Sequence, residues 1–312
     1  MQDICGLLNI RYPIIQGAMG HVTNGTMAAA VTNAGGLGTI ASADKPLEFI
    51  QTEYRLAKRL TKGTVALNIP FKNSLSADIS RFVLEDHVDV VVASAGSPKA
   101  FLADWKREGI RVISVVATVE HAKKMSDAGV DVIVAEGMES GGKIGYMTTM
   151  TLVPQVADAV SVPVVAAGGI ADGRGIAAAF QLGACGVQIG TRFLFAKECP
   201  IHENFRQAIL KAKSSDVVIT GRPYSYRGEA RILRNELFKK FIEMEKSGAA
   251  DEDYKPLFDK SMPRALVEGD VENGSPMVGQ IVGMLDRIQS AEEIIQELVR
   301  DYNAQPALPK IL

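Results

Sequence analysis

Charge is missing from one long stretch of the chain: between Tyr12 and Ala43 there is no Asp, Glu, Lys or Arg. Its length would suit a membrane span, but Gly, Asn, Thr and Gln are scattered through it, so it reads as a buried strand and helix. Aromatic residues are scarce, at 6% with a single Trp, although hydrophobic residues make up 47%. A chain rich in Ala, Val, Ile and Gly has the palette of a parallel sheet buried under helices. Cysteine is limited to Cys5, Cys185 and Cys199, an odd number without metal-ligand spacing. That usage points to reduced thiols and a cytoplasmic protein. The start, MQDICGLLNI, lacks the charged head and apolar core of a secretory signal. Neither sign of charge dominates, with 34 Lys and Arg against 36 Asp and Glu. Total charge therefore gives no reason to expect a nucleic-acid or membrane surface, and a charged partner must be met by a local patch. No His, Cys or carboxylate spacing suggests a metal site.

What is present is a series. Eight short apolar runs, at 12–17, 37–42, 64–70, 88–94, 111–117, 130–137, 162–169 and 186–193, alternate with amphipathic segments such as PLEFIQTEYRLAKRL, VEHAKKMSDAG and TLVPQVADAV. Gly109, Gly129 and Gly183 each fall shortly before the next run, where helices end. Eight such units predict an α/β fold, a (β/α)8 TIM barrel, which typically takes about 250 residues. A doubly wound open sheet is the runner-up. The units end near residue 213, so residues 1–213 are expected to form the barrel and 214–312 a mainly helical extension packed on one of its faces. Within the extension the spacing predicts helices over 229–246, 278–288 and 290–301.

In such barrels the active site lies at the C-terminal ends of the strands. Those ends supply Gly17, Ala18 and Met19; Asn68; Glu136 with a loop holding Gly141, Gly142, Lys143 and Gly145; Gly168 and Gly169; and Gly190 and Thr191. Glycine there lets the backbone approach a ligand closely and leaves N–H groups pointing inward. The pairs after the seventh and eighth runs stand where barrels commonly hold a phosphate. One glycine pair alone would read as a tight turn; both positions filled favour a ligand. Lys143 is the sole charged residue between Glu139 and Asp158, either a site cation or a solvated loop residue. His21, in the first loop, is a second candidate proton donor, whereas His87 and His121 fall at helix positions and read as surface residues. Alternation leaves open whether Gln188 points into the barrel or at the helices.

The segments PIIQGAMG, NAGGLGTI, LNIPF, AEGMESGG, PVVAAGGIADGRG, VQIGTRFL and GSPMVGQIVG, recurring in order, resemble the nitronate monooxygenase and flavin-dependent enoyl-acyl-carrier-protein reductase superfamily. The resemblance implies a barrel binding FMN, with Gly17, Ala18 and Met19 along the isoalloxazine. It puts Asn68, Glu136, Gly141, Gly142 and Gln188 in contact with flavin or ribityl groups, and Gly168, Gly169, Gly190 and Thr191 at the phosphate. AEGMESGG, MTTMTLVPQV and GTRFLFAKE are most similar to the reductase branch, which implies NADH or NADPH as co-substrate, enoyl chains on acyl carrier protein and a homodimer. It also implies a monovalent cation held by backbone carbonyls. Both branches typically have a histidine where this chain has Lys143. An unperturbed lysine, with a pKa near ~10.4, is a poor base for a nitroalkane but can stabilise an enolate. Enoyl reduction is therefore the expectation, with nitronate oxidation and a non-catalytic flavin-binding module as alternatives. Met277 is expected to close over the flavin. Arg227, Arg231 and Arg234, placed on one helical face, are expected to steer the acidic carrier.

Overall fold

The eight runs become eight parallel strands in the computed structural model, which describes residues 3–221 and 228–306. They are β1 (Ile14–Gln16), β2 (Gly38–Ala41), β3 (Val65–Pro70), β4 (Val90–Ser94), β5 (Arg111–Val116), β6 (Val132–Glu136), β7 (Val164–Ala167) and β8 (Gly186–Ile189). Their order is β1-β8-β7-β6-β5-β4-β3-β2. A parallel bridge from Ile15 to Leu37 then draws β1 to β2 and all but closes the ring, giving a TIM barrel. At this seam the Gln16 amide donates to the Leu37 carbonyl at 2.9 Å, and the Gln16 side-chain Oε1 accepts the Thr39 amide at 3.0 Å. A side chain thus stands in for a ladder bond.

The strands are largely apolar because both faces are buried. Ile15, Ala66, Val92, Ile113, Val134 and Val165 point inward and pack with Ile4 and Leu8 of the N-terminal helix. Leu67, Val91, Val112, Ile133, Ala166 and Val187 face outward, beneath the helices. Helices Leu47–Leu60, Val119–Ala128 and Thr149–Ala159 form where periodicity places them. Gly129 ends the second at φ 95°, a left-handed cap that a Cβ would strain.

The ring of helices is completed late in the chain. Helix Ala291–Asn303 packs against both Gly25–Asn33 and Gly173–Gln181. Ile294, Ile295 and Leu298 are fully buried in the main core, and Tyr302 meets Phe180 edge-on at 5.2 Å. Contact is close enough that a Cβ on Gly173 would stand 2.2 Å from backbone atoms of Asp301 and Tyr302. A capping box starts this helix, the Ser290 hydroxyl accepting the Glu293 amide at 3.1 Å while the Glu293 carboxylate accepts that of Ser290 at 2.6 Å.

Four expectations are corrected. Residues Ala230–Leu233 form a strand, antiparallel to Val217–Thr220 and to the two-residue strand Gly142–Lys143. The helix begins only at Glu236, where the Asn235 side chain caps the Phe238 amide. The arginine stripe therefore does not exist: Arg231 is buried in the strand, Arg234 lies over the Phe238 ring, and Arg227 is outside the described residues. The 278–288 pattern yields just one short 3-10 turn, Gln280–Met284. His87 sits in a turn with φ 48°, not in a helix.

Candidate active site

Three strands carry a polar residue on the inward face toward their C-terminal ends. Asn68 follows Ala66, Glu136 follows Val134, and Gln188 pairs in register with the inward residues Ile15 and Ala167. Gln188 therefore faces the barrel interior, and a Cβ on Gly17 would stand 3.5 Å from its Cγ. The Asn68 amide donates to the Val92 carbonyl and the Ser94 hydroxyl, both at 2.9 Å. Ser94, closing β4, thereby joins this layer; a lone serine at a strand end carries no signal in the sequence.

Burial pushes the Glu136 carboxyl up to about 7, against the opposing influence of the neighbouring Ser140 hydroxyl. That hydroxyl is itself buried and makes no well-aligned hydrogen bond among the described residues. Between pH 4.5, the ordinary value, and about 7 the folded protein holds a proton that the unfolded chain releases. Stability should therefore fall as pH rises through that window, by roughly 3 kcal/mol in all. Glu136→Gln removes the titrating group, so urea denaturation of the ligand-free protein at pH 5 and pH 8 should show the variant losing less stability than its parent. Equal losses in both proteins would mean that the carboxylate is solvated.

Above this layer the loops meet backbone to backbone. The Gly279 amide donates to the Thr191 hydroxyl at 2.8 Å, and the Gln280 amide to the Glu139 carbonyl at 3.0 Å. A Cβ on Gly141 would lie 2.5 Å from the Val278 carbonyl carbon, so a side chain there would part these segments. Met277 covers Gly142, its sulfur 3.3 Å from where a Cβ would be. Gly190, after β8, has among the described residues only the Met19 sulfur near its Cβ direction, at 3.9 Å, and half-buried Ala18 lies between Met19 and Gly17. The first and last loops are therefore neighbours.

Gly168 and Gly169 take φ 93° and 75°, conformations that favour glycine. The Thr149 hydroxyl lies 2.9 Å from the Gly168 carbonyl, and the Thr149 amide donates to the Glu139 carboxylate at 3.0 Å. Glu139 thus caps the positive end of helix Thr149–Ala159. A Cβ on Gly169 would stand 3.3 Å from that of Glu139, so this glycine pair is walled by a carboxylate's stem. Sequence reading passed over both Glu139 and Thr149, because their pairing spans a loop.

The two candidate catalytic residues have different settings. Lys143 is exposed, and its ammonium donates to the Gly228 carbonyl at 3.4 Å. His21 takes φ 63°, and its side chain is 10% exposed, 3.9 Å from Asp44. Burial lowers its pKa, with Lys45 adding to the effect and Asp44 opposing it, so the imidazole is neutral at pH 7. The adjoining Gly20 lies against Met262, which the late segment brings over the first loop. Among the described residues no cluster of His, Cys, Asp and Glu suits a metal, and no helix is long and apolar enough to cross a membrane.

The nitronate monooxygenase family model matches residues 2–83 and 78–301. The chain belongs to the nitronate monooxygenase family. This is a family of oxidoreductases, generally flavin-dependent. The structure is similar to that of FabK from Thermotoga maritima, with a TM-score of 0.92 and 39% identity over 97% of this chain and 96% of that one. A probable nitronate monooxygenase of Staphylococcus saprophyticus is 33% identical over 77% of this chain and 80% of its own length. In Rhodococcus jostii, the (3aS,4S,5R,7aS)-5-hydroxy-7a-methyl-1-oxo-octahydro-1H-indene-4-carboxyl-CoA dehydrogenase is 30% identical over 95% of this chain and 94% of its own length.

Proposed function

We propose that this member of the family binds FMN and uses NADH or NADPH to reduce the double bond of 2-enoyl thioesters carried by acyl carrier protein. The observation that carries the reading is the likeness to FabK along nearly the whole chain, at 39% identity. The site fits a flavin on its own terms. Asn68, Glu136 and Gln188 face inward beneath the strand-end loops, a layer of hydrogen-bonding groups that suits an isoalloxazine or ribityl group. Gly17, Ala18 and Met19 would hold the ring system; the amides near Gly168, Gly169 and Gly190 would hold the phosphate. The Thr191 oxygen accepts from Gly279, which leaves its own proton to donate. Bound flavin supplies hydride transfer from nicotinamide to the substrate's β-carbon.

The chain's own residues manage charge and protons. Glu136, its carboxyl pushed up to about 7 by burial, can offer a proton to a ligand acceptor below that pH. Lys143 places an ammonium at the rim, where it can stabilise negative charge on a thioester oxygen. His21, neutral, can give an N–H from the first loop. A backbone-held monovalent cation and a homodimer belong to the same proposal.

The likeness to a probable nitronate monooxygenase supports a second reading, oxidation of alkyl nitronates by oxygen. Loss of NADH under nitrogen with crotonyl thioester is the expected result. Oxygen uptake with nitronates and no thioester turnover would replace this reading with the second; flavin uptake with neither activity would leave a non-catalytic flavin-binding module.

A further inference from the structure

Arg231 is 3% exposed, inside a strand that pairs with the glycine loop. Its backbone stands opposite Gly142, and Ala230 stands opposite Lys143. The guanidinium then reaches back to the start of the same loop, where Nη2 and Nε donate to the Met138 carbonyl at 2.8 and 3.2 Å. Burial lowers its pKa while Glu139 raises it, but a guanidinium keeps its charge.

Burying a charged group is costly, and an apolar side chain of similar volume would fill this space at less expense. The geometry is a planar two-pronged donor closing on one oxygen, a fit that a point charge does not reproduce. That oxygen lies between two residues that dock the loop. Gly137 abuts Gly168, its carbonyl 2.7 Å from where a Gly168 Cβ would stand, while Glu139 holds Thr149 and Gln280.

We infer that Arg231 is a positioning residue for the glycine loop, holding residues 138–143 at both ends so that Gly141 and Gly142 keep their places against Met277, Val278 and Gly279. The inference rests on the flavin reading above for its functional consequence and on contacts alone for the clamp itself.

The test compares Arg231→Met and Arg231→Lys with the parent in two measurements: FMN affinity by fluorescence titration, and amide hydrogen exchange by mass spectrometry. Arg231→Met should weaken FMN binding by about tenfold or more and raise exchange in peptides covering 137–145, with β2 to β5 protected as in the parent. The lysine variant should fall between. Parent-like exchange in 137–145 in Arg231→Met would overturn the clamp, as would a rise spread evenly over the barrel. If the methionine variant does not fold, parent values of both quantities in Arg231→Lys would overturn it equally. A parent protein that takes up no FMN would sink the flavin reading, while the exchange measurement would still decide the clamp.

Discussion

Lys143→Ala should slow hydride transfer to an enoyl thioester by about 10²-fold, a loss of roughly 2.7 kcal/mol of transition-state stabilisation. Flavin binding and flavin reduction by nicotinamide should stay near parent rates, because Lys143 is exposed and is not one of the inward-facing strand residues. The ammonium donates to the Gly228 carbonyl, so a thioester oxygen bound as proposed would have to compete with that carbonyl. Rapid mixing of pre-reduced enzyme with crotonyl thioester under nitrogen measures the step directly. Lys143→His should introduce a pH dependence near neutrality that the lysine form lacks. His21→Ala serves as the comparison, since a larger loss there would move the proton-donor role to the first loop. A parent rate in Lys143→Ala would make the loop lysine a solvated bystander.

Ile294→Asp should destabilise the protein by about 4 kcal/mol or more, since it puts a carboxylate where the side chain is fully enclosed. The affected surface is the one through which helix Ala291–Asn303 meets Gly25–Asn33 and Gly173–Gln181. Thermal melts and soluble yield report the effect, with exposed Gln296→Ala as the near-neutral control. If Ile294→Asp melted with its parent, the helix would be a surface appendage and the packing described above would be wrong.

The barrel was legible because a parallel strand buried on both faces leaves a contiguous apolar run, and glycines such as Gly129 end the helices between such runs. The strand Ala230–Leu233 was not legible. Its partners, Val217–Thr220 and Gly142–Lys143, lie on either side of it in space but far apart in sequence, and no local pattern announces them. The same gap misplaced Arg231, read as a surface cation and found clamped on Met138. Strand ends named Asn68, Glu136 and the glycine pairs directly. Alternation alone left Gln188 undecided, and register against Ile15 and Ala167 resolved it. The last helix was visible as an amphipathic segment, but its place in the ring was not, since amphipathicity says that a face is covered and not by what.

That placement governs how the molecule is made. During synthesis all eight strands emerge before the helix that covers Gly25–Asn33 and Gly173–Gln181, and the ring cannot be sealed until residue 303 is free. Two of the joins that finish it, Ile15 beside Gln188 and Ile295 against Gly36, each span more than half of the chain. Such distant contacts make folding slow and leave apolar surface open meanwhile. The nascent chain therefore holds an unfinished barrel while residues 214–290 are translated, and completes it once helix Ala291–Asn303 is free to pack.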